Sequence, residues 1–238
     1  MLGAQRSGTT SLYGYLSQHP DIVPPLRKEV EFFSRYRDQG VRWYRAHFPL
    51  RFDRRRSYDC TPDYLFDPGV PLKAFELLPD APLVVLLRDP VERAWSAFRH
   101  IESLGLVHGS FEEALRNEEL AAEEWPSRTW YRHSYLRRGL YADQLERWLG
   151  VYPRHQLLVV FAEDLFSDPI RVLHTIEGFV GLERWTPPRF DNWSYSKRSD
   201  ARAREAETMA TSTRDRLTEY FAEPNSRLEQ LLGHPLPW

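Results

Sequence analysis

The stretch that most constrains this chain is its first dozen residues, Met1-Leu-Gly-Ala-Gln-Arg-Ser-Gly-Thr-Thr-Ser-Leu12. They read as the end of a strand, a tight glycine loop and the first turn of a helix, which is the layout of a phosphate cradle. Gly3 and Gly8 carry no Cβ, so the backbone can turn sharply and approach a ligand closely. Amides from Ser7 to Ser11 then point at an anion, with the positive end of the helix dipole behind them. Arg6 adds a charged, planar donor fork, and the hydroxyls of Ser7, Thr9 and Thr10 add neutral donors. A triphosphate-binding loop needs G-x-x-x-x-G-K-[ST], with lysine directly after the second glycine. Here Thr9 stands in that place, and the loop's one cation is Arg6, two residues before Gly8.

A second anion-binding pattern follows far along the chain. Pro82-Leu-Val-Val-Leu-Leu-Arg88 is apolar at every position from Leu83 to Leu87, as expected for a strand central to a parallel sheet. It runs into Arg88-Asp-Pro-Val-Glu-Arg-Ala-Trp-Ser96, where Asp89 suits a helix cap and Pro90 the first helical position. Arg88 therefore falls at the carboxyl end of a strand, where open α/β sheets bind ligands. Ser96 lies about two turns further on.

These stretches resemble the sulfotransferases that use 3′-phosphoadenosine 5′-phosphosulfate (PAPS), and most of all their heparan sulfate or glycan type. The opening loop is similar to that family's [KR]-x-G-T-[TR] motif, and Arg88 to Ser96 to its R-[DN]-P-x-x-R-[AV]-x-S motif. Arg27-Lys-Glu-Val-Glu-Phe-Phe33 resembles its E-[VI]-x-F-F motif. The resemblance implies that Glu29 is the catalytic base, with Arg6 and His100 facing the reacting centre. It also implies that Arg6, Ser7, Gly8, Thr9, Thr10, Arg88 and Ser96 bind the nucleotide. A family S-K-G-R-x lid would fall on Arg202-Ala203-Arg204, and Trp193 would stack on adenine. The lid likeness is loose, since Ala203 replaces glycine. At Ser57-Tyr-Asp-Cys-Thr-Pro-Asp-Tyr64 the chain departs from the family, with Asp59-Cys60 where an acceptor-site lysine is usual. The implied reaction is sulfuryl transfer from PAPS to a hydroxyl, or an amine, of a carbohydrate or other small acceptor, with no metal. Two rival readings remain: a P-loop small-molecule kinase or NTPase, and a non-catalytic nucleotide- or glycan-binding module.

The expected fold is α/β, a P-loop-like three-layer arrangement of a central, mostly parallel sheet flanked by helices, as one domain over 1–238. Helices are expected over Thr9 to Ser17, around Val30 and Phe33, over Val41 to Phe48, from Pro90, over Tyr135 to Tyr152, from Glu163 to Gly181 and from Thr213 to Leu232. Strands are expected at 57–64, 82–88 and 156–161. Leu104 to Trp130 reads as an acidic helix and loop, and Arg93 as a structural ion-pair partner. A net charge of −2 gives no case for nucleic acid as a partner. No apolar run approaches the roughly 20 residues of a membrane helix. One cysteine, Cys60, fits a reducing, cytoplasmic setting and excludes an internal disulfide. Only Met1 and Leu2 precede Gly3, so an upstream targeting segment stays open as an expectation.

Overall fold

The computed structural model describes residues 1–49, 55–120, 132–190 and 208–238. Strands β1 (Leu83–Leu87) and β2 (Leu157–Phe161) pair in parallel, with Leu83 opposite Leu157 and Leu87 opposite Phe161. On the other edge of β1 the opening residues run alongside: Leu2 N donates to Val84 O at 2.9 Å, and Leu86 N to Gly3 O at 2.7 Å. All three stretches therefore end at the same edge of the sheet, and each of the three ends opens into a helix.

Alternation along β1 explains the layering. Leu83, Val85 and Leu87 join Leu157 and Phe161 on one face, packed with Val30, Phe32, Phe33, Tyr44, Leu145 and Trp148. Val84, Leu86 and Val160 face the other way, against Leu12, Tyr15 and Leu16 of α1 (Thr9–Leu16). Every residue of β1 is buried, so the sheet is covered on both sides and the class is α/β. The chain continues through α2 (Gly40–Arg45), α3 (Asp63–Phe66), α4 (Val70–Leu77), α5 (Pro90–Ser103) and α6 (Phe111–Leu120). It ends through α7 (Tyr141–Leu149), α8 (Ala162–Ser167), α9 (Pro169–Val180) and α10 (Thr211–Leu232). A further apolar cluster joins α5, α6 and α10 through Phe98, Phe111, Leu217 and Phe221.

Four expected elements form differently, for local reasons. Residues 57–64 make no strand: the Asp59 carboxylate accepts from Thr61 Oγ1 and Tyr64 OH, both at 2.9 Å, and turns the chain into α3. The helix foreseen from Tyr135 begins only at Tyr141. Glu118 holds the amides of Tyr135, Leu136 and Arg137 in a turn, and a Cβ at Gly139 would lie 2.6 Å from Phe221. The helix foreseen from Glu163 to Gly181 divides at Asp168-Pro169, where Asp168 caps Arg171 N at 3.0 Å and proline has no N–H to continue α8. Around Val30 and Phe33 there is a turn rather than a helix, since Glu29 and Glu31 both adopt left-handed backbone, with φ of 65° and 56°.

Candidate active site

The loop of residues 5–8 is bent by two left-handed residues, Arg6 (φ 69°) and Gly8 (φ 90°), and α1 starts directly behind it. Glycine is required at Gly8 twice over. Its φ disfavours a side chain, and a Cβ there would sit 3.0 Å from the Phe166 ring. Ser7 is fully buried, and its Oγ has no hydrogen-bond partner. A buried, unsatisfied hydroxyl beside free helix amides is a donor without an acceptor, which an anion in the loop would supply. Thr10 is exposed at the loop's mouth, whereas Thr9 is buried; where a triphosphate-binding loop would hold its lysine, this chain packs a small hydroxyl residue.

The second turn meets the first. Asp89 caps α5 by accepting from Val91 N at 2.9 Å, and Pro90 follows as the first helical residue. Arg88 Nη1 donates to the backbone oxygen of Arg6 at 3.1 Å, and Arg6 Nε donates to Ser96 Oγ at 3.2 Å. Residues 82 to 90 positions apart thus close into one cationic site at the carboxyl ends of the strands. The nearest carboxylate to the Arg88 guanidinium in an ion pair is Glu92, at 3.8 Å.

His100, one turn past Ser96 on α5, lies within electrostatic reach of both Arg6 and Glu29. Burial, and then the Arg6 charge, hold its imidazole below the usual histidine value, while Glu29 opposes them. Glu29 is half-exposed and its Oε1 is 2.7 Å from Lys28 Nζ. Its backbone is clamped: Glu29 N donates to Cys60 O, and the Arg27 guanidinium donates to Glu29 O at 3.1 and 3.2 Å. Left-handed conformations at non-glycine residues are costly and persist where surrounding contacts over-determine them. An ion-pair ladder does so here. Glu31 bonds Arg35 at 3.2 Å and Arg27 at 3.6 Å, Arg35 reaches Asp63 at 3.0 Å, and Asp63 reaches the buried Arg138 at 2.8 Å.

The site thus brings together Arg6, Ser7, Gly8, Thr10, Arg88, Ser96, His100 and Glu29 from the sequence expectations. Trp193, Arg202, Ala203 and Arg204 lie outside the described residues. Arg93 is no ion-pair partner among the described residues. It is fully buried, donates to the backbone oxygen of Tyr135, and burial lowers its guanidinium to about 10. Cys60 is fully buried, with its thiol pushed up to about 11, so it is an inert core residue. Asp59 is likewise part of the interior, and the lysine at the site is Lys28. The ladder residues Glu31, Arg35 and Asp63 were not foreseen as parts of the site. A cavity of about 700 Å³, lined by Met1, Tyr58, Asp59, Leu83 and Trp148, opens at the opposite, amino ends of the strands, and none of Arg6, Ser7, Glu29, Arg88, Ser96 and His100 lines it.

With that geometry in hand, similarity to known proteins is decisive. The sulfotransferase domain profile matches residues 1–223. The chain belongs to the sulfotransferase family. It is 29% identical over 257 residues to human heparan sulfate glucosamine 3-O-sulfotransferase 3B1, covering all of this chain and 64% of that protein. It is 28% identical to the human bifunctional heparan sulfate N-deacetylase/N-sulfotransferase 3, covering all of this chain and 30% of that protein. The chain thus spans less than two thirds of these curated relatives. Among solved structures, a sulfotransferase from Alicyclobacillus acidocaldarius is similar with a TM-score of 0.82 at 32% identity, covering 99% of this chain and 95% of that one. Among the described residues, no helix of this sulfotransferase is long and apolar enough to cross a membrane.

Proposed function

We propose that this sulfotransferase transfers a sulfuryl group from PAPS to a hydroxyl, less readily an amine, of a glycan or other small acceptor. The observation that carries the reading is the hydrogen bond of Arg88 to the Arg6 carbonyl together with that of Arg6 to Ser96, which makes one site of two anion-binding turns. The loop amides and the Ser7 and Thr10 hydroxyls hold the 5′-phosphate end, and Arg88 and Ser96 hold the 3′-phosphate. When bound, PAPS supplies the activated sulfuryl group.

The residues of the chain supply position and charge. Glu29 accepts the proton of the acceptor group, and Lys28 Nζ lies 2.7 Å from its Oε1. Arg6 moves its guanidinium from Ser96 to the oxygen on which negative charge accumulates as transfer proceeds. His100, whose imidazole burial and the Arg6 charge hold below the usual histidine value, offers the acceptor a hydrogen bond. The remaining gain comes from holding acceptor and donor in line. A lone buried cysteine agrees with a cytoplasmic enzyme.

The test is thermal unfolding with 3′,5′-bisphosphoadenosine, AMP and ATP, followed by a transfer assay over glycan and small-molecule acceptors. The bisphosphate is expected to raise the melting temperature most, without magnesium. Magnesium-dependent stabilisation by ATP, with no preference for a 3′-phosphate, would establish the kinase reading instead. Tight bisphosphate binding with no transfer to any acceptor would leave a binding module.

A further inference from the structure

The acceptor side of the loop is marked by Arg6, His100 and Glu29, but the loop has a second flank. There a Cβ added at Gly8 would lie 3.0 Å from the edge of the Phe166 ring and 3.6 Å from the Leu165 side chain, so these two residues of α8 close off that side of the loop. Leu165 is buried and serves the core, whereas Phe166 is 52% exposed. A large aromatic ring beside this loop with about half of its surface exposed is out of place as packing, because so much of its apolar area stays hydrated.

Its mounting is rigid. α8 leaves the carboxyl end of β2, and Glu163 in its first turn accepts from the Asp89 amide at 3.0 Å, next to Arg88. Phe166 is therefore tied to both anion-binding turns at once, to one by contact with Gly8 and to the other through Glu163. A nucleoside held by its 5′-phosphate at the loop and its 3′-phosphate at Arg88 has one group left to place, its base. The reacting end must face Glu29 and His100, so the base falls on the flank away from them, which is the α8 side. We propose that Phe166 is the stacking platform for the base of the bound nucleotide, an inference that rests on the proposed bisphosphate site.

The experiment compares wild type, Phe166→Ala and Phe166→Trp by titration calorimetry with two probes, 3′,5′-bisphosphoadenosine and inorganic pyrophosphate, which lacks a base. The alanine variant is expected to bind the bisphosphate about tenfold more weakly, with pyrophosphate binding unchanged and the tryptophan variant restored. Bisphosphate affinity unchanged in Phe166→Ala would overturn the inference and leave the proposed function intact. Equal loss for both probes would also overturn it, since the ring would then act by bracing the loop at Gly8. Failure of the wild type to bind the bisphosphate at all would remove both readings together.

Discussion

Two glutamates in this sulfotransferase have opposite surroundings. Glu118 on α6 is buried and accepts three backbone amides, from Tyr135, Leu136 and Arg137, at 2.6, 2.7 and 3.0 Å. Burial pushes its carboxyl above the usual range, and those amides and the Arg93 charge oppose the shift. Glu29 is half-exposed, has one ion-pair partner among the described residues, Lys28, and sits on strained backbone. One carboxylate is spent on holding the chain, while the other is held by the chain with lone pairs to spare. Saturated hydrogen bonding fits a structural acid, and an under-used carboxylate on an over-determined backbone is what the proposed base has.

Breaking the structural member of the pair gives the largest effect. Glu118→Ala leaves three amides without their acceptor and is expected to cost about 3 kcal/mol of stability. In a domain of this size that lowers the melting temperature by roughly 6 to 12 °C. The protein that remains folded should turn over normally. Calorimetry and an assay normalised to folded protein check both parts, and a specific loss of turnover would place Glu118 in the site. Glu29→Gln is the mirror experiment. Turnover is expected to fall by about 10² or more, with bisphosphate affinity and melting temperature near wild type. Unchanged turnover removes Glu29 as the base.

A third substitution separates strain from chemistry at one residue. Glu29 has φ of 65°, which glycine adopts without penalty. Glu29→Gly is expected to leave stability unchanged or raise it by about 0.5 kcal/mol while abolishing transfer. Chemical denaturation reads the first and the assay the second. A clear loss of stability would mean that the carboxylate, through Lys28, helps to hold the 27–36 segment in place.

The contrast also explains what could be read from the sequence. Leu83 to Leu87, apolar at five consecutive positions, could hardly be anything but a strand covered on both faces, and Asp89-Pro90 fixed the start of α5. The glycine loop running into α1 was legible because its spacing is local chemistry. Glu118 could have been found: in Phe111-Glu-Glu-Ala-Leu-Arg-Asn-Glu118 it falls on the helical face of Phe111, Ala114 and Leu115, all buried, although it reads as part of an acidic helix. The turn at Glu29 and Glu31 carries no such mark. Its left-handed residues are imposed from outside, by Cys60 O and Thr61 Oγ1 and by the ladder through Asp63 to Arg138, contacts that span 28 to 75 positions of sequence. Arg93 was misread for a related reason. A charge in a helix suggests a carboxylate partner, whereas here the partner is the carbonyl of Tyr135, which sequence leaves unmarked.

The smallest effect reports the site directly, because the His100 imidazole feels Arg6 and Glu29 together. Burial and Arg6 lower its affinity for a proton and Glu29 raises it. Glu29→Gln should therefore move the His100 titration further down, Arg6→Gln should move it up, and Glu118→Gln, in another part of the fold, should leave it in place; NMR titration of the ring protons reads all three. The consequence for stability has a definite sign. The unfolded chain protonates this histidine first as pH falls through about 6.5, so the folded state loses stability between that value and the lower folded one, and gains nothing above it. A bisphosphate bound beside Arg6 reverses the balance by placing negative charge near the ring. Its affinity should then rise as pH falls below about 6.5, with proton uptake on binding that vanishes in His100→Gln. Affinity that stays flat with pH, with no proton uptake, would put the anion out of reach of His100 and separate the Arg6 end of the site from the acceptor side.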